Sequence, residues 1–181
     1  MQLFGTVLED KRRVCYSIVI LNDGKRGMRM GVEEVRRFFA GPGLDYVIRE
    51  FDEGTQTVEL AAKALGVEPA LIAKTLALRV GEKAIILVTK GDARLDNRKF
   101  KQLFGVKARM LGAGEVVAIT GHPVGGVCPF GLKTPLDIYI DESLKPFSLV
   151  YPAAGAHNNC IAISPDELRR ITGAQWVDVC S

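Results

Sequence analysis

Gly121-His122-Pro123-Val124-Gly125-Gly126-Val127-Cys128-Pro129-Phe130-Gly131 constrains this chain more than any other stretch, with four glycines and two prolines in eleven residues. Such a segment is neither a helix nor a central strand. Proline removes a donor and fixes φ, while glycine enters conformations that other residues avoid. A bend of this kind can turn several N–H groups toward one point with no side chain in the way, which suits an anion, a carbonyl oxygen or a ribose hydroxyl. The plain alternative is a connecting turn. What surrounds the bend decides between them.

At 181 residues, the chain is one domain with room for a sizeable core. A hydrophobic share of 48% against 25% charged excludes wholesale disorder. A net charge of +3 permits a nucleic-acid partner without demanding one. Cys15, Cys128, Cys160 and Cys180 form no C-x-x-C pair, and His122 and His157 are the only histidines, so no metal site is expected. No secretory leader is recognisable, and the apolar run 14–21 is far too short to span a membrane. A cytoplasmic protein with reduced thiols and no membrane partner is the economical reading.

Residues 1–30 read as an N-terminal extension, a hairpin around Glu9–Arg13 and a basic link at 25–30 that is either solvated or in contact with RNA. From Gly31 the spacing of Val32, Val35, Phe38 and Phe39 predicts a helix. A strand is expected at 44–48. A helix capped by Thr57 follows, with Val58, Ala61, Ala62 and Leu65 on its buried stripe. Pro69 opens a shorter helix that ends at Lys74, where a strand over 75–80 begins. A second strand at 84–89, buried on both faces, leads to a helix at 97–104 capped by Asp96. One or two helical turns at 115–119 precede the Gly-rich bend. Strands at 136–140, 147–151, 160–163 and 176–179 follow it, the last two separated by a helix that Ser164-Pro165-Asp166-Glu167 starts with a capping box. Hairpin-linked strands between early and late helices predict an α+β fold.

No phosphate loop, dinucleotide fingerprint, zinc-protease motif or serine elbow is present. No cofactor is expected. A lysine in Ala73-Lys74-Thr75-Leu76, the segment Lys90–Asp96, the bend at 121–131, Asp141-Glu142-Ser143-Leu144 and the late Ala154-Gly155 remain. In that order and spacing they resemble the YbaK/prolyl-tRNA-synthetase-associated editing domains, free-standing aminoacyl-tRNA deacylases, over about residues 31–180. The resemblance implies a domain at 31–181 with a mixed, mostly antiparallel, partly closed and barrel-like sheet among helices. It also implies a hydrolase for the ester between a wrong amino acid and the 3′ end of a transfer RNA. The partners it implies are an aminoacyl-tRNA acceptor end and prolyl-tRNA synthetase or another synthetase, with no DNA.

By that resemblance Lys74 is the functional lysine, holding the terminal nucleotide's phosphate or ribose as a point charge. The backbone of Gly125, Gly126 and Val127 frames the aminoacyl carbonyl, with Pro129 stiffening the bend. Gly121, Cys128, Phe130, Gly155 and His157 complete the expected substrate pocket, and Asp141 braces the loop. With no strong protein base in evidence, the ribose hydroxyl beside the ester assists the water. The Gly125-Gly126 form of the bend sides with the YbaK-like branch over the alanine-clearing branch. Two other readings stand beside this one: a non-catalytic module that binds transfer RNA or a synthetase, and a cysteine hydrolase pairing Cys128 with His122 or His157.

Overall fold

The computed structural model describes residues 31–181 except 42, 53 and 54, so the expected hairpin and basic link lie outside the described residues. Helix α1 (Val32–Phe39) buries Val32, Val35 and Phe39, with Glu33 and Glu34 in its first turn and Arg36 and Arg37 in its last. Each charge sits at the end of the helix dipole that favours it. No strand forms at 44–48: Leu44, Tyr46 and Ile48 pack against the core, and pairing begins only at β1 (Arg49–Glu50), whose partner near residue 160 is as short. Helix α2 (Val58–Leu65) starts where the Thr57 hydroxyl accepts from the Leu60 N–H at 3.3 Å, and left-handed Gly66 ends it.

The helix expected from Pro69 shrinks to a 3-10 turn (Pro69–Leu71), and β2 runs from Ile72 to Val80. Lys74 is therefore the third residue of a strand, not a helix–strand junction. The cause is tertiary: Ile72 and Ala73 pair with Tyr151 and Pro152, a bond that local propensity does not contain.

β3 (Lys83–Lys90) pairs antiparallel with β2 from Ala73 to Val80. Helix α3 (Asn97–Phe104) is capped by Asp96, which accepts from the N–H groups of Arg98 and Lys99. After β4 (Arg109–Met110), helix α4 spans Ala113–Thr120, longer than the turn or two expected. Beyond the bend come β5 (Asp137–Asp141), β6 (Tyr151–Pro152), β7 (Asn159–Cys160), α5 (Pro165–Thr172) and β8 (Gln175–Val177). Ser164 makes its half of the capping box, accepting from the Glu167 N–H at 3.2 Å, but the Glu167 carboxylate turns to Arg170 and Tyr46 instead of closing the other half.

The main sheet has the order β4-β2-β3-β5-β8, and β6 joins β2 on the edge that β4 also uses. By paired residues it is mostly antiparallel, with β3/β5, β5/β8 and β2/β6 parallel. The fold is α+β, and among the described residues the sheet is not a closed barrel. Ile86 and Val88 share one core with Ala73 and Ala77, while Ile85 and Leu87 share another with Leu78 and Phe100. Alternation along β3 thus fills both faces.

The pairing along β2 leaves a gap that positions the site. β6 meets β2 at Ile72 and Ala73, and β4 meets it at Leu78 and Arg79, with the Leu111 N–H donating to the Ala77 carbonyl at 3.1 Å. Between them, Lys74, Thr75 and Leu76 have no strand beside them on that edge among the described residues. The edge is split.

Candidate active site

A cavity of about 440 Å³ opens at the split. One wall is β2 from Ile72 to Ala77, another is the apolar face of α2, and the bend closes it with Val124, Gly125 and Val127. Among the described residues no aspartate or glutamate lines it, and Lys74 is its one cation. The Lys74 ammonium donates to the Ala93 carbonyl at 2.8 Å, and no described carboxylate forms an ion pair with it. An ammonium has three donors, so two remain.

The bend is built around a turn. The Gly126 N–H donates to the Pro123 carbonyl at 2.9 Å, and Gly125 has φ 86, the positive value that the third position of a type II turn requires. The Gly126 amide is thus spent and cannot join a carbonyl-binding pair, contrary to the expectation. Gly125 and Val127 line the cavity, and their N–H groups have no hydrogen bond among the described residues. Gly126 instead permits a close approach. A Cβ there would lie 2.7 Å from the Ala156 backbone, so only glycine lets the two chain segments touch.

The structure brings Lys74, Gly125 and Val127 to one cavity. It sets the other expected residues around or behind them. Gly121 ends α4 in the left-handed conformation, its N–H on the Val117 carbonyl at 3.0 Å, and faces a separate groove beside Lys133. Pro129 and Gly155 are buried outside the cavity lining. Phe130 is fully buried, with the rings of Phe38 and Phe39 at 5.7 and 4.9 Å, so it anchors the bend to α1 and does not line the cavity. His157 is exposed beside Gly125, and its carbonyl accepts from both the Thr55 N–H (2.7 Å) and hydroxyl (2.6 Å). Asp141 accepts from the Ser143 and Val179 N–H groups at 3.0 and 2.8 Å, bracing the C-terminal segment instead of the bend.

Cys128 does meet His122, with Sγ 3.6 Å from Nδ1, but both are fully buried and outside the cavity lining. Burial pushes the thiol up to about 12 and holds the imidazole down at about 4. A neutral thiol beside a neutral imidazole is a packing contact, not a nucleophile pair.

The same imidazole makes an acid-stability prediction. His122 has an ordinary value of 6.5 when unfolded and about 4 when folded, so the unfolded chain takes up the proton first as pH falls. Its contribution is whole above about pH 6.5 and is lost toward pH 4, at about 3 kcal/mol in all. Urea midpoints should fall over that window and flatten in His122→Gln. A wild-type midpoint constant from pH 7 to 4.5 contradicts this.

Two cavity residues have no role assigned from the sequence: Thr75, which stands beside Lys74 in the Ala73–Leu76 segment, and Asn159, in a small-residue turn. For Asn159 the only trace is a polar residue heading the apolar run Cys160–Ile163. Among the described residues no group of three or more His, Cys, Asp or Glu side chains could hold a metal, and no helix is long and apolar enough to cross a membrane.

Fold and cavity together define an α+β domain with a glycine-framed, mostly apolar pocket on a split sheet edge, with Lys74 as its one charged residue among the described residues. Residues 52–171 match the Aminoacyl-tRNA editing domain, and the chain belongs to that family. It is similar to the uncharacterized protein YwhH of Bacillus subtilis, 44% identical over 153 residues that span 83% of this chain and 98% of that one. It is also similar to EbsC of Enterococcus faecalis, provisionally named a Cys-tRNA(Pro)/Cys-tRNA(Cys) deacylase, at 30% identity over 71% of this chain and 80% of the relative. A solved structure, provisionally assigned as a trans-editing enzyme for prolyl tRNA synthetase, superposes with a TM-score of 0.77 at 32% identity. It covers 83% of this chain and 97% of that one.

Proposed function

We propose that this chain is an aminoacyl-tRNA deacylase acting in trans, and that residues 31–181 carry the activity. Its substrate is the ester between a small, wrongly attached amino acid, such as cysteine or alanine, and the 3′ end of a transfer RNA, the proline acceptor first among candidates. The observation that carries this reading is the single cavity shared by Lys74 and the uncommitted amides of Gly125 and Val127.

The chemistry asks little of the protein. An aminoacyl ester is activated already, so a placed water and stabilisation of the developing oxyanion suffice. The two amides serve the oxyanion. Lys74 fixes the terminal nucleotide through its phosphate or ribose. No described carboxylate lines the cavity to act as base, and the ribose hydroxyl next to the ester takes that part; the reading calls on no metal or cofactor. The acceptor end is the direct partner, with hand-over from prolyl-tRNA synthetase or another synthetase in the cytoplasm.

Release of amino acid from a panel of purified mischarged transfer RNAs tests this. Turnover on a small mischarged amino acid is expected, unchanged by a chelator and by thiol alkylation. Binding without turnover on every member would instead make the chain a recognition module, and a rate abolished by alkylation would return the reaction to a cysteine.

A further inference from the structure

Two buried polar atoms in this cavity have no partner among the described residues. Asn159 is 3% exposed; its Oδ1 accepts from the Ala154 and Ala156 N–H groups at 3.1 and 3.2 Å, which leaves Nδ2 as the free end of the amide. Neither Nδ2 nor the Thr75 hydroxyl has a hydrogen-bond partner among the described residues, and both residues line the cavity. Buried donors left unpaired are rare because they cost free energy, and ligand sites are where they persist.

The sheet sets them at the same end of the split. β2 pairs parallel with β6 at Ile72↔Tyr151 and Ala73↔Pro152; two residues beyond that last pair stand Thr75 on one chain segment and, on the other, Ala154, whose N–H the Asn159 side chain holds. Because the Ala77 carbonyl faces β4, alternation turns the Thr75 N–H and C=O to the same edge, where no strand of the described residues covers them. The opening therefore presents, from one side, a backbone carbonyl and a hydroxyl, and from the other, an amide donor.

We infer that Asn159 and Thr75 recognise the α-amino-acyl group itself: Nδ2 donates to the ester carbonyl, while the Thr75 carbonyl and hydroxyl accept from the α-ammonium. With no described carboxylate in the lining, neutral acceptors are what the cavity offers an ammonium. The inference deepens the deacylase reading and rests on it for the identity of the ligand. A site that hydrogen-bonds a group rejects the analogue lacking it far more strongly than an apolar wall rejects one methylene. Size is then left to the apolar walls, and the amino-acyl pattern to these two residues.

Calorimetric binding of three non-hydrolysable probes tests it: 3′-deoxy-3′-(alanylamino)adenosine, its N-acetyl derivative, and 3′-amino-3′-deoxyadenosine. Wild-type protein should prefer the first by about tenfold or more over either other, as expected for a lost hydrogen bond to a charged group. Thr75→Val should lose the preference over the N-acetyl probe, and Asn159→Asp, which keeps the Oδ1 acceptor but not the donor, the preference over the unacylated probe. Thermal melting confirms that both variants are folded. Equal affinity of wild type for all three probes, no binding of any, or preferences intact in both variants would overturn the inference. Deacylation run alongside separates the two readings: probe preference without turnover retires the hydrolase and keeps the recognition pair. Turnover unaffected by both substitutions does the reverse.

Discussion

Lys74→Ala is expected to lower deacylation kcat/KM by about a hundredfold while leaving the protein folded. The two halves of this expectation come from different contacts. The fold loses one hydrogen bond, from Nζ to the Ala93 carbonyl, on a partly buried side chain, and such a bond contributes about 1 kcal/mol net. Strand β2 keeps all of its backbone pairing with β3. The site, in contrast, loses the single described cation that would hold the terminal nucleotide, and a misplacement of the ester on the order of 1 Å can cost about a hundredfold in rate. Lys74→Arg should recover only part of the loss, because a planar fork does not replace a compact ammonium at one point. Rates on mischarged transfer RNA, with circular dichroism and urea midpoints of each variant, decide the matter. Full activity in Lys74→Ala would remove this residue from the mechanism.

Local chemistry is the part of this fold that the amino-acid sequence makes legible. Thr57, Asp96 and Ser164 each cap a helix because the hydroxyl or carboxylate sits within two or three residues of the N–H groups it serves. Strand positions are less legible for the opposite reason. Residues 44–48 and 147–149 have strand-forming side chains but no strand beside them among the described residues, while Val150 finds only a single bridge to Ile163, and partners for a strand are set by distant sequence. Lys74 stands out as a residue, but its place in the strand does not, since the pairing of Ile72 with Tyr151 pulls the strand start back across it.

The bend shows the same division. Its glycines and prolines signal a turn, but which amides stay free depends on the Gly126–Pro123 hydrogen bond, a detail of closure. The apolar stripe of α2 has the pattern of a core-facing helix. Only Ala62 is buried, and Val58, Ala61 and Leu65 face the cavity instead. An amphipathic helix has one periodicity whether its apolar face meets other side chains or a substrate pocket. Asn159 is silent in the sequence because its importance lies in two amides it holds and one donor it leaves open, none of which is a sequence pattern.

Gly126→Ala should damage both stability and rate, and the reason is where its methyl would have to go. The added Cβ meets the Ala156 carbonyl carbon and Cα at 2.7 Å and its nitrogen at 2.9 Å. Those are backbone atoms, so no rotamer change relieves the clash, and Ala156→Gly should fail to rescue it. Overpacking of this kind costs about 1–3 kcal/mol. The loop can yield only by moving off residues 154–156, which carries the Gly125 and Val127 amides away from the carbonyl they would bind. A displacement on the order of 1 Å at a reacting centre can cost about a hundredfold. Gly125→Ala makes the comparison informative: its Cβ would have ordinary contacts at 3.6 Å, but φ of 86 strains any other residue by about 1–2 kcal/mol. Both substitutions should therefore lower the urea midpoint, but only Gly126→Ala has to push the bend away from residue 156, so it should lose the more activity. Urea midpoints and single-turnover rates of the two variants, and of Gly126→Ala combined with Ala156→Gly, distinguish strain from clash. A Gly126→Ala protein with normal midpoint and normal rate would mean that contact with residue 156 does not hold the bend in its working position.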